Sequence, residues 1–142
     1  MDQHVGFELR TLSNLIKRHI DNLPSIKSVE SVTGIHSWLI GYLYNYQDKD
    51  IYQKDIEDQF SIRRSTATAI LQRMEKNGLI VRLPVEHDAR LKKVQLTSKA
   101  IEIQRKIELE IAEFEKQLIK GISEEEIAYF YEITSKMKKN LE

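Results

Sequence analysis

The most constraining feature of this chain is a change of hydrophobic period at Asn77-Gly78. Before it, Ala67, Ile70, Leu71 and Met74 stand at i, i+3, i+4 and i+7, one apolar stripe on a helix over about residues 63–77. After it, Leu79-Ile80-Val81-Arg82-Leu83 is a compact β-prone run, and Lys92-Lys93-Val94-Gln95-Leu96 alternates polar and apolar as a half-buried strand does. Glycine at 78 suits the left-handed position just past a helix end. Pro84 has no N–H for a ladder and is expected to close the first strand. Residues 85–91 are polar, with a turn expected around His87-Asp88-Ala89, so a basic loop joins two strands into a hairpin.

Helices flank this centre. Val5, Leu9, Leu12, Ile16 and Ile20 recur at helical spacing, and Pro24 ends that helix or follows its end. Residues 24–33 read as a loop. Thr33 can cap a second helix, about 34–46, and a short third helix, about 53–59, places Ile56 and Phe60 inward. Thr97 caps a long helix to about Lys120, with Ala100, Ile103, Ile107, Ile111, Phe114 and Leu118 on one side and Gly121 as its break. Ser123-Glu124-Glu125-Glu126 is a capping-box pattern for a last helix carrying Ile127, Phe130, Thr134, Met137 and Leu141. The fold class is mainly α with a small β-hairpin, six helices and one hairpin in one compact domain.

The formal net charge of the 142 residues is zero, but its distribution is uneven. Residues 62–93 hold eight basic and three acidic residues, a net charge of +5. Residues 1–61 carry −3 and residues 94–142 carry −2. A basic window of this kind is what a phosphate-binding surface requires, and also what a solvated basic face looks like. The helix within it has a wet face of short side chains. Ser65, Thr66 and Thr68 near its start can bond phosphates or bases without bulk, Gln72 can pair with adenine, and Arg73 with guanine or phosphate. The helix N-terminus itself favours phosphate oxygens. Asp88 and Arg90 lie two apart at the hairpin tip, so Asp88 can hold the Arg90 guanidinium extended toward a narrow minor groove. A surface ion pair has the same spacing.

Asn77-Gly78-Leu79-Ile80 followed by Asp88-Ala89-Arg90-Leu91-Lys92-Lys93-Val94-Gln95-Leu96-Thr97 resembles the wing signature of the MarR family. Arg64-Ser65-Thr66-Ala67-Thr68 resembles the start of that family's recognition helix, and Arg73-Met74-Glu75-Lys76 its middle. The specific motifs cover 62–97 without a gap, while helix order and length match over nearly the whole chain. The resemblance implies a winged helix-turn-helix over 34–96 and a helical dimerisation region made of 1–33 and 97–142. It further implies a homodimeric, DNA-binding transcription regulator, by default a repressor, that reads a palindrome in double-stranded DNA. DNA contacts then fall to Arg63, Arg64, Ser65, Thr66, Thr68, Gln72 and Arg73 on the helix and to Asp88, Arg90 and Lys92 on the wing. Two positions depart from the pattern. Arg63 stands where a small capping residue is usual, so that either Ser61 caps instead or Arg63 contacts phosphate, and Tyr52 stands where a threonine is usual.

Family members often release DNA on binding a small aromatic or phenolic molecule. Here such a pocket would draw on His19, His36, Trp38 and Tyr42, which serve equally well as packing residues. The chain has no cysteine, and its four histidines lack zinc-ligand spacing, so no metal or cofactor is expected. No glycine-rich phosphate loop and no nucleophile–base constellation argue for an enzyme. No apolar run is long enough for a membrane span and the first residues lack a signal-peptide pattern, so a cytoplasmic location is expected. The competing reading is a winged-helix protein-interaction module or a ligand-independent regulator, since fold does not fix function.

Overall fold

A computed structural model describes residues 3–27 and 34–142. Among them the chain forms, in order, α1 (Val5–Asp21), α2 (Pro24–Lys27), α3 (Gly34–Asn45), α4 (Gln53–Phe60), α5 (Arg64–Lys76), β1 (Ile80–Val85), β2 (Asp88–Leu96), α6 (Ser98–Leu118) and α7 (Glu124–Leu141). The mainly helical class with one antiparallel hairpin agrees with the sequence reading. Two compact units divide it, 1–111 and 112–142.

The first unit is built around α5. Ala67, Leu71 and Met74 are fully buried, so the apolar stripe is a packed face. Ile56 of α4, Leu39, Ile40 and Leu43 of α3, and Ala100, Ile103 and Ile107 of α6 are buried with them. Two bonds end α5. The Leu79 N–H donates to the Met74 carbonyl at 2.9 Å, and the Gly78 N–H to the Glu75 carbonyl at 3.1 Å. With Gly78 at φ +73°, this is a Schellman turn, and it aims the chain directly into β1. Thr97 then ties the far end of the hairpin back. Its hydroxyl donates to the Gly78 carbonyl at 2.6 Å and accepts the Ala100 N–H at 3.2 Å, which makes it the cap expected for α6. The Val94 N–H donates to the Ile51 carbonyl at 2.7 Å, anchoring the segment before α4 to β2.

Four local expectations are corrected. Residues 24–27 are a helical turn rather than loop. Pro24 occupies a first helical position, where its missing N–H is no loss, and the Glu110 carboxylate accepts the Ser25 N–H at 3.2 Å. This adds a seventh helix. The expected cap Thr33 lies outside the described residues. Pro84 does not close β1, which runs to Val85. Instead the pairing passes from Pro84↔Lys92 to Val85↔Asp88, leaving residues 89–91 of β2 without partners, an irregularity beside the one residue that cannot donate. The turn is therefore Glu86-His87, and Asp88 and Arg90 belong to β2. Finally, Ser61 does not cap α5. It ends α4 in the left-handed conformation, φ 50° and ψ 47°, with the Ile62 N–H donating to the Glu57 carbonyl at 3.0 Å. Arg63 is the extended N-cap of α5, and its side chain makes no capping bond. At Tyr52 the cap of α4 comes from the opposite direction, since the Asp55 carboxylate accepts the Tyr52 N–H at 2.8 Å.

In the second unit, α7 begins with the expected capping box. Ser123 Oγ accepts the Glu126 N–H at 3.1 Å, and Glu126 Oε1 accepts the Ser123 N–H at 3.0 Å. The Ser123 backbone N–H first, and the Ser123 hydroxyl after it, hold the Glu126 carboxyl below its ordinary range. Gly121, at φ +80°, supplies the left-handed residue between the helices. Phe130, Ile133 and Leu141 are exposed along α7.

Candidate nucleic-acid interface

The start of α5, the side of α4 and the outer half of the hairpin enclose a cleft of about 740 Å³. Gln53, Lys54 and Glu57 line it from α4, Arg64 and Thr68 from α5, and Arg82, Arg90, Leu91, Lys92 and Val94 from the strands. Five cationic side chains therefore meet one carboxylate. The helix-turn-helix brings α4 against α5, and the Schellman turn at Gly78 brings the hairpin beside them. Residues some forty positions apart thus share one basic wall.

The wing has its own geometry. Asp88 Oδ1 accepts the Arg90 backbone N–H at 2.9 Å and the Arg90 Nε–H at 3.3 Å. Those two bonds, the backbone one first, hold the Asp88 carboxyl below its ordinary range. Asp88 is 29% exposed and Arg90 93% exposed, so the carboxylate braces a guanidinium that stands almost wholly in solvent. Arg90 lies in the unpartnered stretch of β2, free of ladder neighbours. An arginine held out from a hairpin is the form of side chain that enters a narrow minor groove.

The recognition-helix candidates are distributed along α5. Arg63, Arg64, Ser65 and Thr66 are exposed at its start, Thr68 is half-buried at the cleft, and Gln72 and Arg73 are exposed further along. No side chain caps this N-terminus among the described residues, so its first amide groups remain donors for an anion. The structure thus gathers Arg64, Thr68, Arg90 and Lys92 in one cleft. Ser65, Thr66, Gln72 and Arg73 lie on the same helix outside it.

Gln53, Lys54, Glu57 and Arg82 of the cleft are not singled out by sequence, and two of them make contacts that shape it. Arg82 stands in β1 with 24% of its side chain exposed, and its Nε and Nη2 are buried without a hydrogen-bond partner among the described residues. The Glu75 carboxylate is 4.0 Å from Nε, an ion pair between α5 and the wing that is too long for a hydrogen bond. Gln53 opens α4, and its Nε2 donates to Thr68 Oγ1 at 2.9 Å and to the Arg64 carbonyl at 3.4 Å. Arg82 had a signal, the odd charge inside an apolar strand; Gln53 had none, because its role depends on a partner fifteen residues away.

The candidate pocket residues lie on two helices, His19 on α1 and His36, Trp38 and Tyr42 on α3. His36 is buried on α3 and Trp38 is 38% exposed. Two residues along a helix are about 200° apart, so these side chains point to opposite faces. Tyr42 stacks edge-on against Phe60, centroids 5.7 Å apart, and tilts against Tyr46 at 5.1 Å. Burial, with Asp55 nearby, pushes its phenol above the ordinary range. His19 is exposed on α1.

Residues 31–91 match the MarR family profile. The structure of the transcription regulator MarR from Oenococcus oeni PSU-1 is 32% identical, with a TM-score of 0.83 over 96% of this chain and 99% of that one. The S. aureus MepR–DNA complex is 25% identical, with a TM-score of 0.84 over 99% of this chain and 100% of that one. The heme sensor protein PefR from Streptococcus agalactiae, in complex with heme, is 27% identical, with a TM-score of 0.62 over 98% and 95%. By these likenesses, and by its helix order, Gly78 turn and hairpin, the chain belongs to the MarR family of winged helix-turn-helix transcription regulators, not to a class of enzymes.

Proposed function

We propose that this chain is a homodimeric repressor that binds a palindromic operator in double-stranded DNA. Each copy would lay α5 in the major groove and the β1–β2 wing along the neighbouring minor groove, with a phosphate backbone crossing the cleft between them. The observation that carries this reading is the cleft itself, five cations around one carboxylate beside the braced Arg90. Phosphate is an acceptor-only, anionic group, and the cleft offers cationic donors at the spacing of helix and wing. The likeness to MepR, a structure determined with DNA, over 99% of this chain supports DNA binding.

Dimerisation is proposed from the helices outside 34–96. The regions 1–33 and 97–142 carry apolar residues left exposed on α1 and α7, among them Val5, Leu9, Leu12, Phe130 and Leu141. Two copies would place two readers on two half-sites about one helical turn apart. As the family resemblance implies, a small aromatic or phenolic molecule would release the protein from DNA, and Trp38 and Tyr42, four residues apart on α3, share a helix face that would serve such a ligand.

The test is selection of bound sequences from random DNA by the purified protein, followed by a salt titration on the winning sequence. The expected winner is a palindrome, and the expected salt slope is roughly −0.9 for each neutralised phosphate. Transcription from a promoter carrying that sequence should fall when the protein is present. A flat salt response, or no enrichment at low salt, would point to a protein-interaction module instead.

A further inference from the structure

We propose that Gln53 sets the hydrogen-bond polarity of the recognition surface: by donating to Thr68 Oγ1, it leaves that hydroxyl as a proton donor toward an acceptor atom of bound DNA. The inference rests on the proposed DNA-binding function and deepens it to a single atom.

The orientation of the Gln53 amide follows from its second contact. The Arg64 carbonyl accepts only, so the atom 3.4 Å from it must be the amide nitrogen. The same nitrogen is 2.9 Å from Thr68 Oγ1, which therefore accepts. A threonine hydroxyl has one proton and two lone pairs, so accepting from Gln53 leaves the proton to be placed. Inside a helix its usual outlet is the carbonyl one turn back. Thr134 on α7 shows that outlet, its hydroxyl donating to the Phe130 carbonyl at 2.9 Å. For Thr68 the equivalent carbonyl is Arg64, which the helix ladder and Gln53 already use. Among the described residues the Thr68 hydroxyl donates to nothing. Its neighbours on the cleft wall include four donors, Arg64, Arg82, Arg90 and Lys92, and one carboxylate, Glu57, which makes no bond to the Thr68 hydroxyl among the described residues. The acceptor is therefore left to a bound partner. Phosphate oxygens, purine N7 and O6, and thymine O4 are such atoms, whereas the amino group of cytosine is not. Gln53 is thus a positioning residue acting through Thr68.

The test is a double-mutant cycle of Gln53→Ala and Thr68→Val, with affinity measured on the DNA selected by the wild-type protein and on an unrelated duplex of equal length. Each single variant should lose about 5-fold in affinity, the worth of one net hydrogen bond. The double variant should lose no more than either single one, because Thr68→Val deletes the donated bond and Gln53→Ala frees the same hydroxyl to turn back to the Arg64 carbonyl. Thr68→Ser should recover the affinity, which separates the hydroxyl from packing. Equal losses on both duplexes place the acceptor on the backbone; a loss confined to the selected duplex places it on a base edge. Both support the proposal. Additive losses, or a Thr68→Val variant that binds as the wild type does, overturn it. Failure of the wild type to bind any DNA would instead remove the underlying function, a result the cycle cannot mimic.

Discussion

Helices α5 and α1 carry apolar stripes of the same kind, yet the first unit treats them oppositely. On α5, Ala67, Leu71 and Met74 have no exposed surface. On α1, Val5 is 59%, Leu9 42% and Leu12 40% exposed, and only Ile20 at the far end is fully buried. Periodicity identifies a face that avoids water. It does not identify what covers that face. The α5 stripe is covered by its own chain because the α4 turn at Ser61 and the Schellman turn at Gly78 fold the neighbours onto it. Among the described residues the α1 stripe is buried near Ile20 and exposed at Val5, Leu9 and Leu12, and the proposed dimer gives that exposed part a partner. The contrast also sorts function, since the wet side of α5 can face DNA only because its dry side is satisfied internally.

The largest expected effect comes from breaking the α1 half of this contrast. Replacing Leu9 and Leu12 together by lysine should abolish the dimer, because unpaired charges buried in an interface cost several kcal/mol each. Sedimentation should then report a folded monomer with an unchanged helical spectrum. A dimer that persists removes α1 from the interface. Next, Leu71→Ala should cost about 2–5 kcal/mol of unfolding free energy, as a fully buried leucine leaves a cavity. The same change at exposed Leu9 should cost the isolated fold far less, and a reversal of that ranking in denaturant titrations breaks the comparison. Smaller still, Arg90→Ala should weaken operator binding by about 10-fold and reduce the salt slope by about one, with the dimer intact. If that variant becomes monomeric, Arg90 is structural.

The smallest effect concerns the brace. Asp88 is held below its ordinary range by bonds to Arg90 that exist only in the folded wing. A depressed folded value means the contact contributes fully above the ordinary aspartate range and is lost as pH falls through the folded value. Carboxyl NMR should find the Asp88 midpoint lowered, and Asp88→Asn should return Arg90 to a mobile side chain. An unshifted midpoint would show that the two residues do not hold each other in solution.

The helix-to-hairpin switch was readable in the sequence because each signal in it is local: the stripe on α5, Gly78 past its end, the alternation before Leu96, the capping box at Ser123. Where the structure departs from these local signals, another segment of the chain supplies the reason. Pro24 starts a helical turn because Glu110, eighty-five positions from Ser25, supplies the acceptor for its first free amide. Pro84 stays within β1 because β2 absorbs the irregularity opposite it.

The candidate site divides the same way. Arg64, Thr68, Arg90 and Lys92 were found from sequence because charge and small polar groups cluster in one window. Their meeting in one cleft, with Arg82 and Gln53 among them, was not, because it depends on where two turns send the chain. By itself the sequence determined which faces avoid water, where the helices stop and where positive charge collects, since periodicity, glycine conformation and composition act over a few residues. Only the tertiary structure decided which dry faces are covered by the chain itself, and which donors, such as the Thr68 hydroxyl, are left pointing at the cleft. Those outcomes depend on contacts between segments far apart in the chain, and short-range rules carry no information about them.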